Sequence, residues 1–344
     1  HARRLITQAD LATALWDLGH KDAHKVMRPR HEAPLPGSPA HSRAQTGDHL
    51  ARYMLAYYRA IYLLVRLGQP AAALVQLDRA LELLAAAPPS STSSYARRWI
   101  QYFRIACTQH CGRMREAGEL AQSQLEEALS RGDHTVSGGL SVFAAVALLA
   151  ADRPEPAERL LEQTASRLRP GEVTLQDFML IGSLGVPHSY QGRARKAWSV
   201  VAAHLERYGA SFQGRVMNRG LLEMSTCGLA AAAALKADEG AERKQLTRAA
   251  KRLAESARTA NSPTNAGCPE AVLACLTGDR AAAVAALQKR WHSPMAPMVE
   301  QFTRRRLGEL VAGDAGRAMI AEADVFLRAG GVVDPERFVS AMVP

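Results

Sequence analysis

The chain has few aromatic residues, only 6% of its 344 positions, and its five cysteines include no C-x-x-C pair. An odd number of cysteines without such pairing argues against a disulfide framework and points to a reducing, cytoplasmic setting. No stretch reaches the roughly 18 uncharged apolar residues that a membrane span requires, and the opening "HARRLITQAD" lacks the apolar core of a signal peptide, so no membrane association is expected. There is no G-x-x-x-x-G-K-[ST] loop to cradle phosphate, no G-x-G-x-x-G, no H-R-D or D-F-G, no H-E-x-x-H and no G-x-S-x-G. The chain is therefore read as carrying no catalytic residues and no cofactor.

What it does have is alanine, in runs such as Ala230 to Ala234 and Ala281 to Ala283, within a composition that is 47% hydrophobic. Small side chains and scarce rings favour helices in close contact over sheets. The formal charge of +10 invites a nucleic-acid reading, yet 36 of the 43 cationic residues are Arg and they are scattered along the chain. Arg and Ala enrichment together follow from a GC-rich genome, so nucleic acid is disfavoured as a partner.

The organising signal is a corner that recurs: "RLGQPAAALVQL", "HCGRMREAGELA", "YQGRARKAWSVV" and "LTGDRAAAVAAL". With the turn residue placed at Gly68, Gly112, Asp152, Gly192, Gly278 and Gly313, the fifth residue onward is Ala73, Ala117, Ala157, Ala197, Ala283 and Ala318. The corners lie 35 to 44 residues apart, with one gap of twice that length in which a degenerate corner is expected near 235–240. A Gly at the turn ends one helix in the left-handed conformation, and Ala lets the next helix cross closely. Two helices per period of this length predict an α-solenoid, because each hairpin has an apolar face that only its neighbours can cover.

This corner resembles that of the tetratricopeptide repeat (TPR), with a longer period than the usual roughly 34 residues. The resemblance implies an all-α fold, a right-handed α-solenoid of about seven to eight divergent TPR-like hairpins. The segments expected are an N-terminal hairpin at 1–27, a Pro-rich loop at 28–47, the repeat array at 48–329 and a capping segment at 330–344, whose helix starts behind Asp334 and Pro335. In the last quarter, Arg305, Arg306, Leu307, Gly308, Gly313, Asp314, Ala323, Asp324, Pro335, Glu336 and Arg337 resemble the tail of large bacterial signalling proteins, best known from myxobacteria, that join a serine/threonine kinase domain to an ATPase domain and a helical region. That resemblance implies the regulatory C-terminal region of such a protein, or a stand-alone relative, with any kinase or ATPase chemistry upstream.

Two clusters have metal-ligand spacing: His20 with His24 and Asp22, and Cys107 with His110 and Cys111. Neither shows the four ligands of a closed zinc site, so no metal is assigned to them. The favoured functional surface is the face of the first helices, counted back from the corners: Tyr58, Tyr62 and Arg66, then Trp99, Tyr102, Gln109 and His110, then Ser189 and Tyr190. These are expected to form a groove for a protein or peptide partner. A small-molecule effector held by the solenoid is the alternative. The competing expectation for the rings is that they fill the gaps between hairpins, since a shift of one residue turns a groove position into a core position.

Overall fold

The computed structural model describes residues 49–86, 91–169, 175–208, 216–257, 264–265, 267–311 and 313–343. The expected N-terminal hairpin, the Pro-rich loop and the His20/His24 pair lie outside them. Among the described residues all regular structure is helical, and no helix is long and apolar enough to cross a membrane.

The helices pair into seven hairpins: α1 (His49–Val65) with α2 (Pro70–Ala85), α3 (Ser91–His110) with α4 (Met114–Ser130), α5 (His134–Ala150) with α6 (Pro154–Ala165), and the split α7 (Leu175–Ser183) and α8 (Val186–Tyr190) with α9 (Ala194–Tyr208). There follow α10 (Val216–Lys236) with α11 (Ala241–Ala257), α12 (Pro269–Thr277) with α13 (Arg280–Trp291), and α14 (Pro297–Val311) with α15 (Gly313–Ala329). The short α16 (Pro335–Met342) closes the chain, capped by the Asp334 carboxylate, which accepts from the Arg337 amide at 3.0 Å with Pro335 in the first turn.

All six turn residues read from the sequence have positive φ, Asp152 among them at 54°. The degenerate corner is present too, between Lys236 and Ala241, with Gly240 at positive φ. Ala73, Ala117, Ala157, Ala197 and Ala283 are fully buried. Ala318 is exposed, which corrects the sixth corner. At the other five counted corners the second helix starts two residues after the turn residue, whereas α15 starts on Gly313 itself, so the crossing position falls on Gly316. A Cβ on Gly316 would lie 2.5 Å from the Gly308 carbonyl oxygen.

First helices of successive hairpins touch in a ladder, α1 to α3 to α5 to α7 to α10 to α12. The ladder then turns back on itself: α14 touches α3, and α16 packs on α5 and α8. The seam between the two ends of this arc is bonded through the backbone, from the Met114 amide to the Gly330 carbonyl at 3.0 Å and from the Val333 amide to the Ala150 carbonyl at 2.8 Å. Met298 and Phe302 of α14 and Phe338 of α16 join one core cluster with Val142, Val146 and Leu149 of α5. As a result α5 is buried along nearly its whole described length, on every side.

Candidate functional site

The first two hairpins hold a connected chain of rings. On α1, Tyr53 meets Tyr57 at 6.5 Å and Tyr57 meets Tyr58 at 5.4 Å between ring centroids. Tyr57 crosses to Phe103 of α3 at 5.8 Å, edge to face, and Phe103 continues to Trp99 and Tyr102. Tyr95 meets Trp99 at 6.2 Å, and Tyr102 reaches Phe143 of α5 at 5.2 Å. Such pairs add roughly 0.5–1.5 kcal/mol each beyond the area they bury. Sequence at four-residue spacing places Tyr53 with Tyr57, and Trp99 with Phe103, on one side of each helix.

The rings differ in exposure. Tyr57, Tyr58, Tyr62, Trp99 and Phe103 are half-buried, and Tyr95 and Leu55 are exposed at 51% and 61%. Burial, then the neighbouring Tyr58, pushes the Tyr57 hydroxyl well above its ordinary pKa, and burial first pushes Tyr53 up to about 12. Both phenols therefore remain neutral hydrogen-bond donors across physiological pH. Arg66 lies exposed one turn beyond Tyr62.

The counted groove is only partly assembled. Tyr58, Tyr62, Arg66 and Trp99 lie on the first-helix side of hairpins one and two and are accessible. Tyr102 is a core residue at 5% exposure: its hydroxyl meets the Met179 sulfur at 3.2 Å, and a Cβ on Gly139 would sit 2.6 Å from its ring. Gln109 and His110 end α3, with Gln109 Oε1 and His110 Nδ1 buried without hydrogen-bond partners. Burial lowers the His110 pKa to about 4, so its ring is neutral. Cys107 and Cys111 share these turns with His110, but their ligand atoms do not converge on a common point with it.

Tyr190 is buried, which removes it from an open groove, and Ser189 beside it is half-buried. The first helix of this hairpin is broken at Leu184 and Gly185. Pro187 lacks the N–H that would continue the helix, and a Cβ on Gly185 would stand 2.6 Å from the Ala197 carbonyl oxygen. The Tyr190 hydroxyl donates to Asp152 Oδ1 at 2.8 Å. Arg337 of α16 donates to the same oxygen at 2.9 Å and lies 4.4 Å over the Tyr190 ring. Tyr190 is thus the anchor of the seam, 147 residues from its partner in sequence.

Of the residues of the C-terminal resemblance, Arg337 reaches across that seam, while Arg305 and Arg306 tie the C-terminal helices to one another. Arg305, 4% exposed, is held by Asp324 at 2.9 Å and by Glu309, with Glu336 at 3.9 Å. Arg306 donates to the Val343 carbonyl at 2.7 Å. A cleft of about 270 Å³ opens where the seam meets the second corner, lined by Arg113, Arg115, Glu116 and Glu119 with Ala329 to Gly331. Its two Arg and two Glu balance in charge.

Comparison with known proteins returns no matching family model and no matching curated sequence.

Sequence reasoning missed Tyr53, Tyr57, Tyr95 and Phe103. Tyr57 and Phe103 each stand one residue from a counted position, Tyr57 before Tyr58 and Phe103 after Tyr102, so no single shift of the count brings in both. The spacing of Tyr53 to Tyr57 and Trp99 to Phe103 was the available signal.

Proposed function

We propose that the chain is a non-catalytic scaffold, a right-handed TPR-like solenoid, that binds a protein or peptide partner on the aromatic side of α1 and α3. On this reading it serves as the regulatory region of a bacterial serine/threonine kinase–ATPase signalling protein or of a stand-alone relative, in the cytoplasm. The observation that carries it is the uneven covering of the first helices. On α5 and α8 the chain's own C-terminal elements occupy the side that a partner would use, whereas α1 and α3 keep Tyr57, Tyr58, Tyr62, Trp99 and Phe103 half-open beside exposed Leu55. Rings on a rigid, pre-formed surface supply contact area at little ordering cost, and interface anchors are drawn from Tyr, Trp and Arg.

A photo-crosslinking residue placed at Tyr62 in the native host tests this directly, with a control at Val325, which is 68% exposed on α15. A defined protein adduct from position 62, absent from position 325 and reduced by Trp99→Ala, is the expected result. Equal adducts from both positions would remove the assignment of this face. Binding to nucleic acid as the natural role would instead show affinity falling about a thousandfold or more between 50 and 200 mM salt, given six or more phosphate contacts.

A further inference from the structure

At the third corner, beside the Tyr190 anchor, three ligand-bearing side chains face one another across two hairpins. Glu158 and Glu162 come from α6, and His188 from α8, which packs on it. One ligand atom from each lies within 4.8 Å of the other two.

The histidine sets this cluster apart from an ordinary acidic patch. His188 is 1% exposed, and its Nδ1 is buried without a hydrogen-bond partner. It faces Glu158 Oε1 at 3.6 Å, beyond hydrogen-bond range. Two ligands on a tetrahedral zinc, each about 2.0–2.2 Å from the metal, stand about 3.4 Å apart. The gap is therefore one that an ion would span and a shared proton does not.

The two carboxylates are four residues apart on one helix, where like charges repel unless a cation lies between them. Arg193 already engages Glu158, but through the other oxygen: its Nη2 lies 2.6 Å from Oε2. Gln191 accepts from the same guanidinium, and Gln191 Nε2 in turn donates to Glu155 at 3.0 Å. Hydrogen bonding to the free oxygen of a carboxylate is how ligating carboxylates are oriented, so Arg193 supports Oε1 as a ligand and leaves it available.

We infer that Glu158, Glu162 and His188 bind one divalent cation of borderline softness, Zn²⁺ being the best match, as a clamp between the third and fourth hairpins. One imidazole and two carboxylates suit zinc in type, and three protein ligands leave a coordination position for water. The ion would fix α8 against α6 just where Pro187 and Gly185 interrupt the first helix of hairpin four.

The test is calorimetric titration of EDTA-dialysed, full-length chain with ZnCl₂, repeated with CoCl₂ to read ligand type from the visible spectrum. Expected are one equivalent bound, a Tm that rises with zinc concentration, and a cobalt spectrum without a thiolate band. Glu162 is exposed, so Glu162→Gln leaves the fold intact and should weaken binding at least tenfold, as loss of even a supporting partner does. His188→Asn should abolish it. No saturable binding by the wild-type chain would overturn the site. So would a thiolate band, or unchanged affinity in Glu162→Gln, since each would place the ion on the cysteines or elsewhere.

Discussion

The corners at Gly112 and Gly192 carry the same left-handed glycine and the same buried Ala five residues on, at φ 88° and 73°. Their surroundings have nothing in common. A Cβ at Gly192 would meet no atom within 4 Å, whereas one at Gly112 would fall 2.6 Å from the Phe326 ring, and one at Gly330 only 1.9 Å from the Gly112 carbonyl oxygen. A hairpin corner is a local device, repeated wherever the motif is repeated. What covers it depends on which distant part of the chain returns to it.

The same contrast divides the first helices. On α1 and α3 a row of rings is half-open, and on α5 no side is left. Tyr62 and Tyr102 were both counted into the groove, from adjacent hairpins, and differ in burial, so they give the sharpest separation. Tyr102→Ala should cost about 3–5 kcal/mol, the loss of a fully buried ring together with the cavity it leaves. Tyr62→Ala should leave the thermal melt within about 1 kcal/mol of wild type. Equal losses for the two would mean that hairpin one is as closed as hairpin two.

The two glycine corners break the comparison next. Gly192→Ala should cost about 1–2 kcal/mol, for placing a Cβ in the left-handed region. Gly112→Ala carries that cost and in addition must displace Phe326, about 1–3 kcal/mol more as overpacking. Denaturant midpoints measured on both variants decide whether the seam is closed in solution. An equal shift would mean that Phe326 does not rest on this corner.

A third pair tests the correction at the last corner. Ala117→Leu should overpack a helix crossing and lower stability by about 1–3 kcal/mol. Ala318→Leu, at the position that the same count places in a crossing, should change stability by no more than about 0.5 kcal/mol, as exposed sites do.

The smallest effect is in pH dependence. Burial depresses the His110 pKa to about 4 from an unfolded value near 6.5, so the folded state favours the neutral ring. Its contribution to stability is complete above about pH 6.5 and is lost as pH falls from there toward 4. Burial depresses His188 in the same direction. Tm measured between pH 7 and 4 should fall, and His110→Phe should flatten part of that fall while His188 maintains the rest.

Much of this architecture was legible because its causes are local. The turn residues follow from the need for positive φ, which Gly meets without strain, and five Ala positions follow from a fixed step along the second helix. Asp152 shows how far that rule holds, since a residue with a Cβ adopts φ 54° where its carboxylate receives both Tyr190 and Arg337. Less of the candidate site was legible. Counting from the corners reached half-open Tyr58, Tyr62 and Trp99, but Tyr58 and Tyr102 are each one residue from the pair that bridges hairpins one and two, Tyr57 and Phe103. A register error of one residue rotates a helix by about 100°, which separates surface from core. Tyr190, counted into the groove, is covered there by Arg337 of the returning α16, a contact that counting from the corner does not foresee.

The sequence alone determined the helices, their pairing and the corners, because turn conformation, close crossing and the spacing of apolar residues are set within a few dozen residues of chain. It also marked Arg305, Asp324, Glu336 and Arg337 as a set without indicating what they hold. Only the tertiary structure decided that α14 to α16 return to hairpins two to four and cover α5 and α8 there, and that Glu158, Glu162 and His188 meet beside a helix break. Those contacts join residues up to 185 positions apart. No periodicity encodes such a meeting, because it depends on how the small rotation at each hairpin accumulates along the whole array.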